Sequence, residues 1–260
     1  MGAEPGFSIA VAGKGGTGKT TISGSLISYL CSHHSAPILA VDADPSTNLA
    51  SILGVAGAES LGDIREETMQ DMINFPPGMT KARYLEYRIH QAVQEYDRFD
   101  LLTMGRPEGP GCYCYVNRLL RTALDTLSQN YAFIVMDCEA GMEHVSRRTS
   151  REIDHLVVIS DPSVRGLDVA LRISLMADSL HNKIGCKHLL LNRCLSEQAE
   201  ILGTRIEHIM TTGGFHSQTV IPESPELAPL DLEGKSIFDL PREIEFFAAL
   251  ELFLLRKVLS

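Results

Sequence analysis

Eight residues near the amino terminus, Gly13 to Thr20, limit the fold that this chain can adopt. They follow a short apolar run, Phe7 to Ala12, that is typical of a buried parallel strand, and they precede a segment with helical periodicity. Glycines at such a junction let the backbone fold around an anion, so that successive amide groups and the helix amino terminus face it. The spacing G-x-x-x-x-G-K-T therefore predicts a phosphate-binding loop within an α/β fold.

Each residue of this loop has a predicted role toward a nucleoside triphosphate. Lys19 is expected to reach the β- and γ-phosphates, and the Thr20 hydroxyl is expected to bind Mg²⁺. The backbone around these two side chains supplies the remaining contacts. The predicted nucleotide-binding residues of the loop are Gly15, Gly16, Thr17, Gly18, Lys19, Thr20 and Thr21.

Composition restricts the kind of protein and its partners. The chain has 260 residues, of which 44% are hydrophobic and 22% charged, as is ordinary for a soluble globular protein. We expect one α/β domain over residues 1–260, with a mostly parallel central sheet flanked by helices on both faces. No apolar run is long enough to cross a membrane, and a net charge of -10 disfavours nucleic acid as a partner. The beginning of the chain does not resemble a secretory signal, and together with six cysteines this favours a reducing, cytoplasmic location.

Polar residues follow three further apolar runs. Asp42 and Asp44 follow one run, Asp137 another and Asn192 a third. Because the carboxyl ends of parallel strands share one edge of an open sheet, we expect these side chains near the bound phosphates. A run of large apolar residues ending in aspartate is typical of a magnesium-binding strand, so Asp137 is expected to bind Mg²⁺ through water. An aspartate that only caps the turn before Pro45 is the alternative for Asp44.

A second lysine near the start of the loop, Lys14, gives a more specific resemblance. The sequence K-G-G-T-G-K-T resembles the deviant Walker A class of ATPases, which includes MinD, ParA, the arsenite-pump ATPase and the nitrogenase iron protein. The resemblance implies that ATP and ADP are the nucleotides and that the chain hydrolyses ATP as a homodimer. It also implies that Lys14 contacts the partner's nucleotide and neutralises developing charge together with Lys19, while Asp44 orients the attacking water.

The same resemblance extends to residues that would sense phosphate or hold the base. Gly141, in the switch segment after Asp137, would sense the γ-phosphate through its backbone amide. Asn192 corresponds to the asparagine of the class that hydrogen-bonds adenine, and Pro222 and Glu223 would pack beside the base.

Cys112 and Cys114 are candidate metal ligands. Three glycines and two prolines in 105–111 predict an irregular, extended segment until a helix starts near Tyr115. In extended chain, residues two apart share a face, so both thiols would point in one direction. Two sulfurs do not complete a soft-metal site, but a two-fold axis beside the segment would bring four together. That set suits Zn²⁺, Ni²⁺ or an iron–sulfur cluster, and softness alone does not choose among them.

The cysteine segment, Gly109 to Asn117, and the switch Glu139 to His144 resemble the nickel-insertion ATPases of the CooC and AcsF type. That resemblance implies an ATP-dependent metallochaperone that binds Ni²⁺ or Zn²⁺ in a homodimer. The client would be carbon monoxide dehydrogenase or acetyl-CoA synthase. Two alternatives stay open, an iron–sulfur reductase of the nitrogenase iron protein type that uses Cys112 and Cys138, and a positioning ATPase like MinD or ParA.

Overall fold

The computed structural model describes residues 6–56, 59–64, 81–105, 112–139, 153–179 and 184–259, with the side chains of 81–82, 85–86 and 112–118 outside that description. Parallel strands and connecting helices alternate along most of the chain. The strands are β1 Phe7–Gly13, β2 Ile38–Ala43, β3 Gln94–Glu95, β4 Asp100–Thr103, β5 Phe133–Cys138, β6 Ile153–Ser160, β7 Ile184–Leu191 and β8 Ser217–Val220. The helices are α1 Lys19–His33, α2 Leu49–Leu53, α3 Lys81–Ala92, α4 Cys112–Leu127, α5 Val164–Ser179, α6 Ser196–Ile201, α7 Gly203–Gly213, α8 Ala228–Leu232 and α9 Glu245–Phe253.

The strands form one sheet in the order β3-β4-β2-β5-β1-β6-β7-β8. Every pairing is parallel except that of β3 with β4 at one edge. The central strands are buried on both faces, which explains why their sequences are nearly continuous apolar runs rather than alternating ones. This arrangement confirms the predicted α/β fold with a mostly parallel sheet.

Two separate hydrophobic cores lie on the two faces of the sheet. One core packs the sheet against α3, α4, α5 and α7, through residues such as Leu119, Ala170 and Ile206. The other packs it against α1, α2, α8 and α9, through residues such as Leu26 and Phe246. Helices therefore cover both faces, and the loops at the carboxyl ends of the strands stay accessible for a site.

The start of α4 differs from the sequence prediction. The helix begins at Cys112, whereas the glycine- and proline-rich segment was expected to stay extended until about Tyr115. Leu119, Leu120 and Ala123 are buried and anchor the later turns of the helix. Because packing of these turns stabilises the helix, its first turn is helical despite the glycines and prolines that precede it. The shared face that an extended C-x-C segment would give the two cysteines is therefore not a property of this backbone.

The carboxyl-terminal segment packs on the core. The helix α9 spans Glu245–Phe253 and is followed by a π-helical segment, Leu254–Val258. Its apolar stripe is buried, including Leu250, Leu254 and Val258. Among the described residues, no helix combines the length and apolar character needed to cross a membrane.

Candidate nucleotide-binding site

The glycine-rich loop joins β1 to α1 at the carboxyl edge of the sheet. Gly16 and Gly18 have φ angles of 79° and 90°, in the left-handed region that side chains other than glycine rarely adopt. Gly18 is also close to Asn192, since a Cβ added there would lie 2.5 Å from Asn192 Nδ2. Thr17 Oγ1 donates to the Lys14 carbonyl at 2.8 Å, which braces the loop from inside. The backbone conformation thus requires the glycines that the motif supplies.

The first turn of α1 is arranged to receive an anion. Gly18 occupies the N-cap position, and no side chain among the described residues caps the turn. The first amides of a helix have no partner within it, so those of α1 are free to donate to phosphate oxygens. An adjoining cavity of about 500 Å³ is lined by Gly15, Lys19, Thr20, Thr21, Asp44 and Arg193. A cavity of that size is typical of a small-molecule site.

Asp137 lies at the end of β5 behind this turn. Its side chain is buried, and Ser23 Oγ donates to its Oδ1 at 3.1 Å. Burial raises the pKa of Asp137 to about 6, although hydrogen bonds from Thr20 and Ser23 and the charge of Lys19 oppose the rise. A buried carboxylate beside the Thr20 hydroxyl is an oxygen donor set that suits Mg²⁺.

Asp42 and Asp44, at the end of β2, differ in burial and in their contacts. Asp42 is fully buried and accepts from the amides of Leu49, at 2.9 Å, and Asp44, at 3.2 Å. It therefore fixes the loop and the start of α2. Burial raises its pKa to about 7, and the neighbouring carboxylate of Asp137 adds to the rise. Asp44 lines the cavity, and its Oδ1 accepts a hydrogen bond from the Ser46 amide at 2.9 Å. This hydrogen bond caps the turn at Pro45, which is the alternative role that the sequence offers for Asp44.

Lys14 is directed away from the phosphate loop of its own chain. Its side chain is 45% exposed, and its Nζ lies 3.3 Å from Oδ2 of Asp161, the residue that follows β6. Lys19, by contrast, is only 8% exposed and lines the cavity. The two lysines of the motif are thus separated into an internal and a surface position.

The residues expected around the base follow β7 and β8 at the same edge of the sheet, but none of them is among the residues that line the cavity. Asn192 follows β7 and donates from Nδ2 to the Thr17 carbonyl at 2.8 Å, so this side chain supports the phosphate loop. Pro222 and Glu223 follow β8, where the amide of Cys194 donates to the Ile221 carbonyl and links the two loops. Arg193, which lines the cavity with a φ of 55°, was not singled out from the sequence. Its position next to Asn192, immediately after a predicted strand, was the available signal.

The metal and switch predictions are only partly within the described residues. The backbone places Cys112 and Cys114 in the first turn of α4, and their side chains lie outside the description. Gly141 also lies outside it. Cys138, the ligand of the iron–sulfur alternative, is 1% exposed and belongs to the core on the α3–α4 face. Its thiol could reach a partner chain only if β5 moved.

Comparison of the sequence with known proteins identifies a family and several relatives. Residues 8–237 match the family model described as the CobQ/CobB/MinD/ParA nucleotide binding domain. An uncharacterized ATP-binding protein of Methanocaldococcus jannaschii is 41% identical over 94% of this chain and 95% of that protein. The carbon monoxide dehydrogenase accessory protein CooC of Rhodospirillum rubrum is 33% identical over 68% of this chain and 72% of that protein.

Solved structures share the fold at lower sequence identity. A ParA family ATPase from Chlorobium tepidum superposes with a TM-score of 0.68 and 18% identity, and covers 96% of this chain and 98% of that one. MinD from Pyrococcus horikoshii, solved with Mg-ADP, gives a TM-score of 0.66 and 22% identity over 93% of this chain and 91% of that one. At these identities the likeness supports the fold alone.

Proposed function

The chain belongs to the CobQ/CobB/MinD/ParA nucleotide-binding family of P-loop ATPases, and from this premise we propose that it is an ATP-dependent metallochaperone. It would carry Ni²⁺ or Zn²⁺ between two copies of the chain and help insert nickel into carbon monoxide dehydrogenase or acetyl-CoA synthase. The similarity to CooC, combined with a C-x-C pair at the nucleotide edge of the sheet, is the observation that carries this proposal.

ATP with Mg²⁺ would be held by the loop, the first turn of α1 and the end of β5. The amides of Gly15 to Thr21 bind the phosphates, and Lys19 balances the charge of the β- and γ-phosphates. Thr20 and Asp137 would hold Mg²⁺, which when bound neutralises charge between the phosphates. Arg193 also lines the cavity and would contact the nucleotide.

Hydrolysis would require residues from two chains. Asp44 lines the cavity in cis and has an oxygen available to orient the attacking water. Lys14 lies on the surface beside Asp161, so it would serve a nucleotide bound to a second chain rather than its own. A lysine supplied in this way stabilises charge on the transferred phosphoryl group as an arginine finger does.

The metal would be bound at the same edge. Strand β4 pairs with β2, and the chain then leads from the end of β4 to the start of α4 at Cys112. The amino-terminal turn of a helix favours negative charge, which supports thiolates at Cys112 and Cys114. A soft-metal site takes four sulfurs, so the proposed site is complete only in a dimer and requires the first turn of α4 to become extended there, so that Cys112 and Cys114 share a face.

Nucleotide and metal would be coupled through dimer formation. If ATP favours the closed dimer and the dimer completes the thiolate site, each ligand must tighten the binding of the other by the same factor. Such coupling amounts to about 1–3 kcal/mol in typical cases. Hydrolysis then weakens the dimer and releases the metal to the client enzyme.

The test combines a count of bound metal with the molar mass in solution. We expect Ni²⁺ and a non-hydrolysable ATP analogue to give a dimer that holds one ion between two chains. In Cys112→Ser/Cys114→Ser this nucleotide-dependent ion and the metal-induced dimer should be lost, while nucleotide affinity stays unchanged. Cys31→Ser, which removes a half-buried thiol on α1, is the matched control.

Two results would contradict the proposal. An unchanged nickel count and dimer in the double serine variant would remove the C-x-C pair from the mechanism. Nucleotide-dependent binding to DNA or to liposomes at physiological salt, without any bound metal, would favour a positioning ATPase of the MinD or ParA kind instead.

A further inference from the structure

A second group of potential metal ligands lies on β6 and β7, away from the carboxyl ends of the strands where the nucleotide site is. His155 and Cys186 are the third residues of β6 and β7, and His188 is the fifth of the eight residues of β7. The loops that follow Ser160 and Leu191, at the other ends of these strands, belong to the nucleotide edge. His155 and Cys186 are directly paired across the two strands. Because His188 is two residues beyond Cys186 on a strand, all three side chains share one face.

The three side chains converge at distances suited to one ion. One ligand atom from each, a nitrogen of each imidazole and the Cys186 sulfur, lies within 4.8 Å of the others. His155 Nδ1 and His188 Nε2 are 2.8 Å apart. A tetrahedral ion with metal–nitrogen bonds of 2.0–2.1 Å would hold two such nitrogens about 3.3 Å apart. An ion would therefore need the rings to separate by roughly half an ångström.

Ser217 fixes which nitrogen of His188 faces the group. Its Oγ, on the neighbouring strand β8, is 2.7 Å from His188 Nδ1 in a buried hydrogen bond. When Nδ1 carries the proton and donates it to Ser217, the lone pair of Nε2 faces His155 and Cys186. Metal-binding histidines are commonly oriented by a hydrogen bond of this kind from their second nitrogen.

The surroundings keep both imidazoles neutral, which is the form that binds metal. Burial lowers the pKa of His188 to about 4 and also lowers that of His155. Phe253, on α9, packs edge-on against His188 with ring centroids 5.4 Å apart, and Phe7 lies 4.9 Å from the ring of His155. His188 is buried, whereas His155 and Cys186 are half-buried, so solvent reaches the group on the side of these two residues.

A purely structural hydrogen-bond chain accounts for part of this arrangement. The chain from His155 through His188 to Ser217 satisfies the polar atoms of the two rings on the shared face. It does not account for the thiol of Cys186 beside both imidazoles. Two neutral imidazoles and one thiolate form a borderline-soft donor set that matches zinc and its neighbours and not Mg²⁺ or Ca²⁺.

We propose that His155, Cys186 and His188 form a binding site for one divalent transition-metal ion of the zinc class, separate from the nucleotide edge. The ion replaces the proton shared between His155 Nδ1 and His188 Nε2, and that proton moves to Nε2 of His155. The Cys186 thiol releases its proton to solvent when it binds. A water molecule completes four-coordination, as in other sites with three protein ligands.

The test uses Co²⁺ as a spectroscopic probe in the Cys112→Ser/Cys114→Ser background, so that the C-x-C pair contributes nothing. We expect one equivalent of Co²⁺ to give the visible bands of a tetrahedral site and a thiolate-to-cobalt charge-transfer band, both abolished by added Zn²⁺. Cys186→Ser should remove the charge-transfer band. Ser217→Ala should keep the band but weaken affinity about 10–100-fold, the effect of losing an orienting hydrogen bond.

Two further variants keep the result interpretable. His155→Gln changes a half-buried side chain and should also weaken binding, whereas Cys31→Ser should leave the spectrum unchanged. Retained ATP binding in each variant shows that it is folded, because the nucleotide lies at the other edge of the sheet. Absence of cobalt binding in the parent, or a charge-transfer band that survives Cys186→Ser, would overturn the proposal and leave the C-x-C site unaffected.

Discussion

Two buried carboxylates at neighbouring strand ends, Asp42 and Asp137, set the electrostatic character of the site at the residue scale. They are paired across β2 and β5, and burial raises the pKa of Asp42 to about 7 and that of Asp137 to about 6. Asp42 is compensated by two backbone amides, which makes it a structural residue. Among the described residues, Asp137 receives hydroxyl groups and the charge of Lys19 rather than backbone amides, so its charge is better satisfied by a bound cation.

We expect Asp137→Asn to stabilise the chain in the absence of ligands while weakening Mg²⁺-dependent ATP binding. The native pKa, about 6, lies above the ordinary value of 3.8, so ionisation of Asp137 opposes folding as pH rises through this window. Above pH 6 the cost is up to about 3 kcal/mol, and it disappears below pH 4. The difference in melting temperature between variant and wild type should therefore be positive at pH 8 and near zero at pH 4.

Thermal unfolding across this pH range, together with ATP titrations with and without Mg²⁺, checks the prediction. Glu200→Gln removes the same charge from an exposed position on α6 and should show no such pH dependence. A variant less stable than wild type at pH 8 would mean that the charge of Asp137 is already compensated in the protein without ligands.

At the scale of elements, the sequence predicted the parts of the fold that are set by local pattern. The strands β1, β2 and β5, which lead to the phosphate loop, Asp42 and Asp137, are nearly continuous apolar runs. Such runs are stable only when both faces are buried, so the sequence predicts them as central strands. The predicted start of α4, near Tyr115, was wrong because burial of the later turns of this helix decides the conformation of its first turn. The short strand β3 and the helices α6 and α7 were not anticipated, since they depend on packing rather than on a marked periodicity.

The residues of the site also divide into those that local sequence pattern predicts and those that it does not. The loop glycines and Lys19 were evident from spacing, whereas the hydrogen bond from Asn192 to Thr17 joins residues 175 positions apart and has no local signal. The His155–Cys186–His188 group was missed for a similar reason. The apolar run that precedes Asn192 in the sequence does not reach back to Cys186, although β7 begins at Ile184 and carries Cys186 and His188 on one face.

The contact between α1 and α2 gives a prediction that belongs to these elements. α2 follows the Asp44 loop and approaches α1 at Gly24, where an added Cβ would lie 2.5 Å from Cγ2 of Ile52. We expect Gly24→Ala to be destabilising, because overpacking costs about 1–3 kcal/mol and exceeds the gain of up to about 1 kcal/mol in helix propensity. Displacement of α2 should also weaken ATP hydrolysis by shifting Asp44.

A double-mutant cycle with Ile52→Ala separates this contact from general damage. Ile52→Ala removes the methyl group that Gly24→Ala meets, so the double variant should be more stable than the sum of the two single effects. Ser51→Ala, a neighbouring exposed position on α2, should not restore stability. Strict additivity between positions 24 and 52 in chemical denaturation would show that the close approach does not limit helix packing.

The whole molecule must rearrange one ion pair before two copies can share their nucleotides in the proposed way. In the single chain Lys14 pairs with Asp161 at 3.3 Å, and both side chains are more than a third exposed. Ser163 donates to the other oxygen of Asp161, so an asparagine can retain that contact while losing the attraction for Lys14. Such surface pairs contribute at most about 1 kcal/mol each. In the proposed dimer, Asp161 and a partner's phosphates would thus compete for the same lysine.

We therefore expect Asp161→Asn to strengthen nucleotide-driven dimerisation. Two pairs are broken in each dimer, so removing the competition changes the dimer dissociation constant by up to roughly 30-fold, which corresponds to about 2 kcal/mol. Sedimentation in a hydrolysis-blocked Asp44→Ala background with ATP and Mg²⁺ measures the effect. Glu207→Gln, an exposed position on α7, removes the same charge from a net charge of -10 and controls for general repulsion between the two acidic chains.

Lys14→Gln makes this prediction decisive, because the benefit of Asp161→Asn requires the lysine that it releases. In the Lys14→Gln background the chain should stay monomeric with ATP, and changing Asp161 should have no effect beyond that of Glu207→Gln. If Asp161→Asn strengthened the dimer equally with and without Lys14, the gain would come from net charge alone. The lysine would then have no role across the interface, and the surface position of Lys14 would need another explanation.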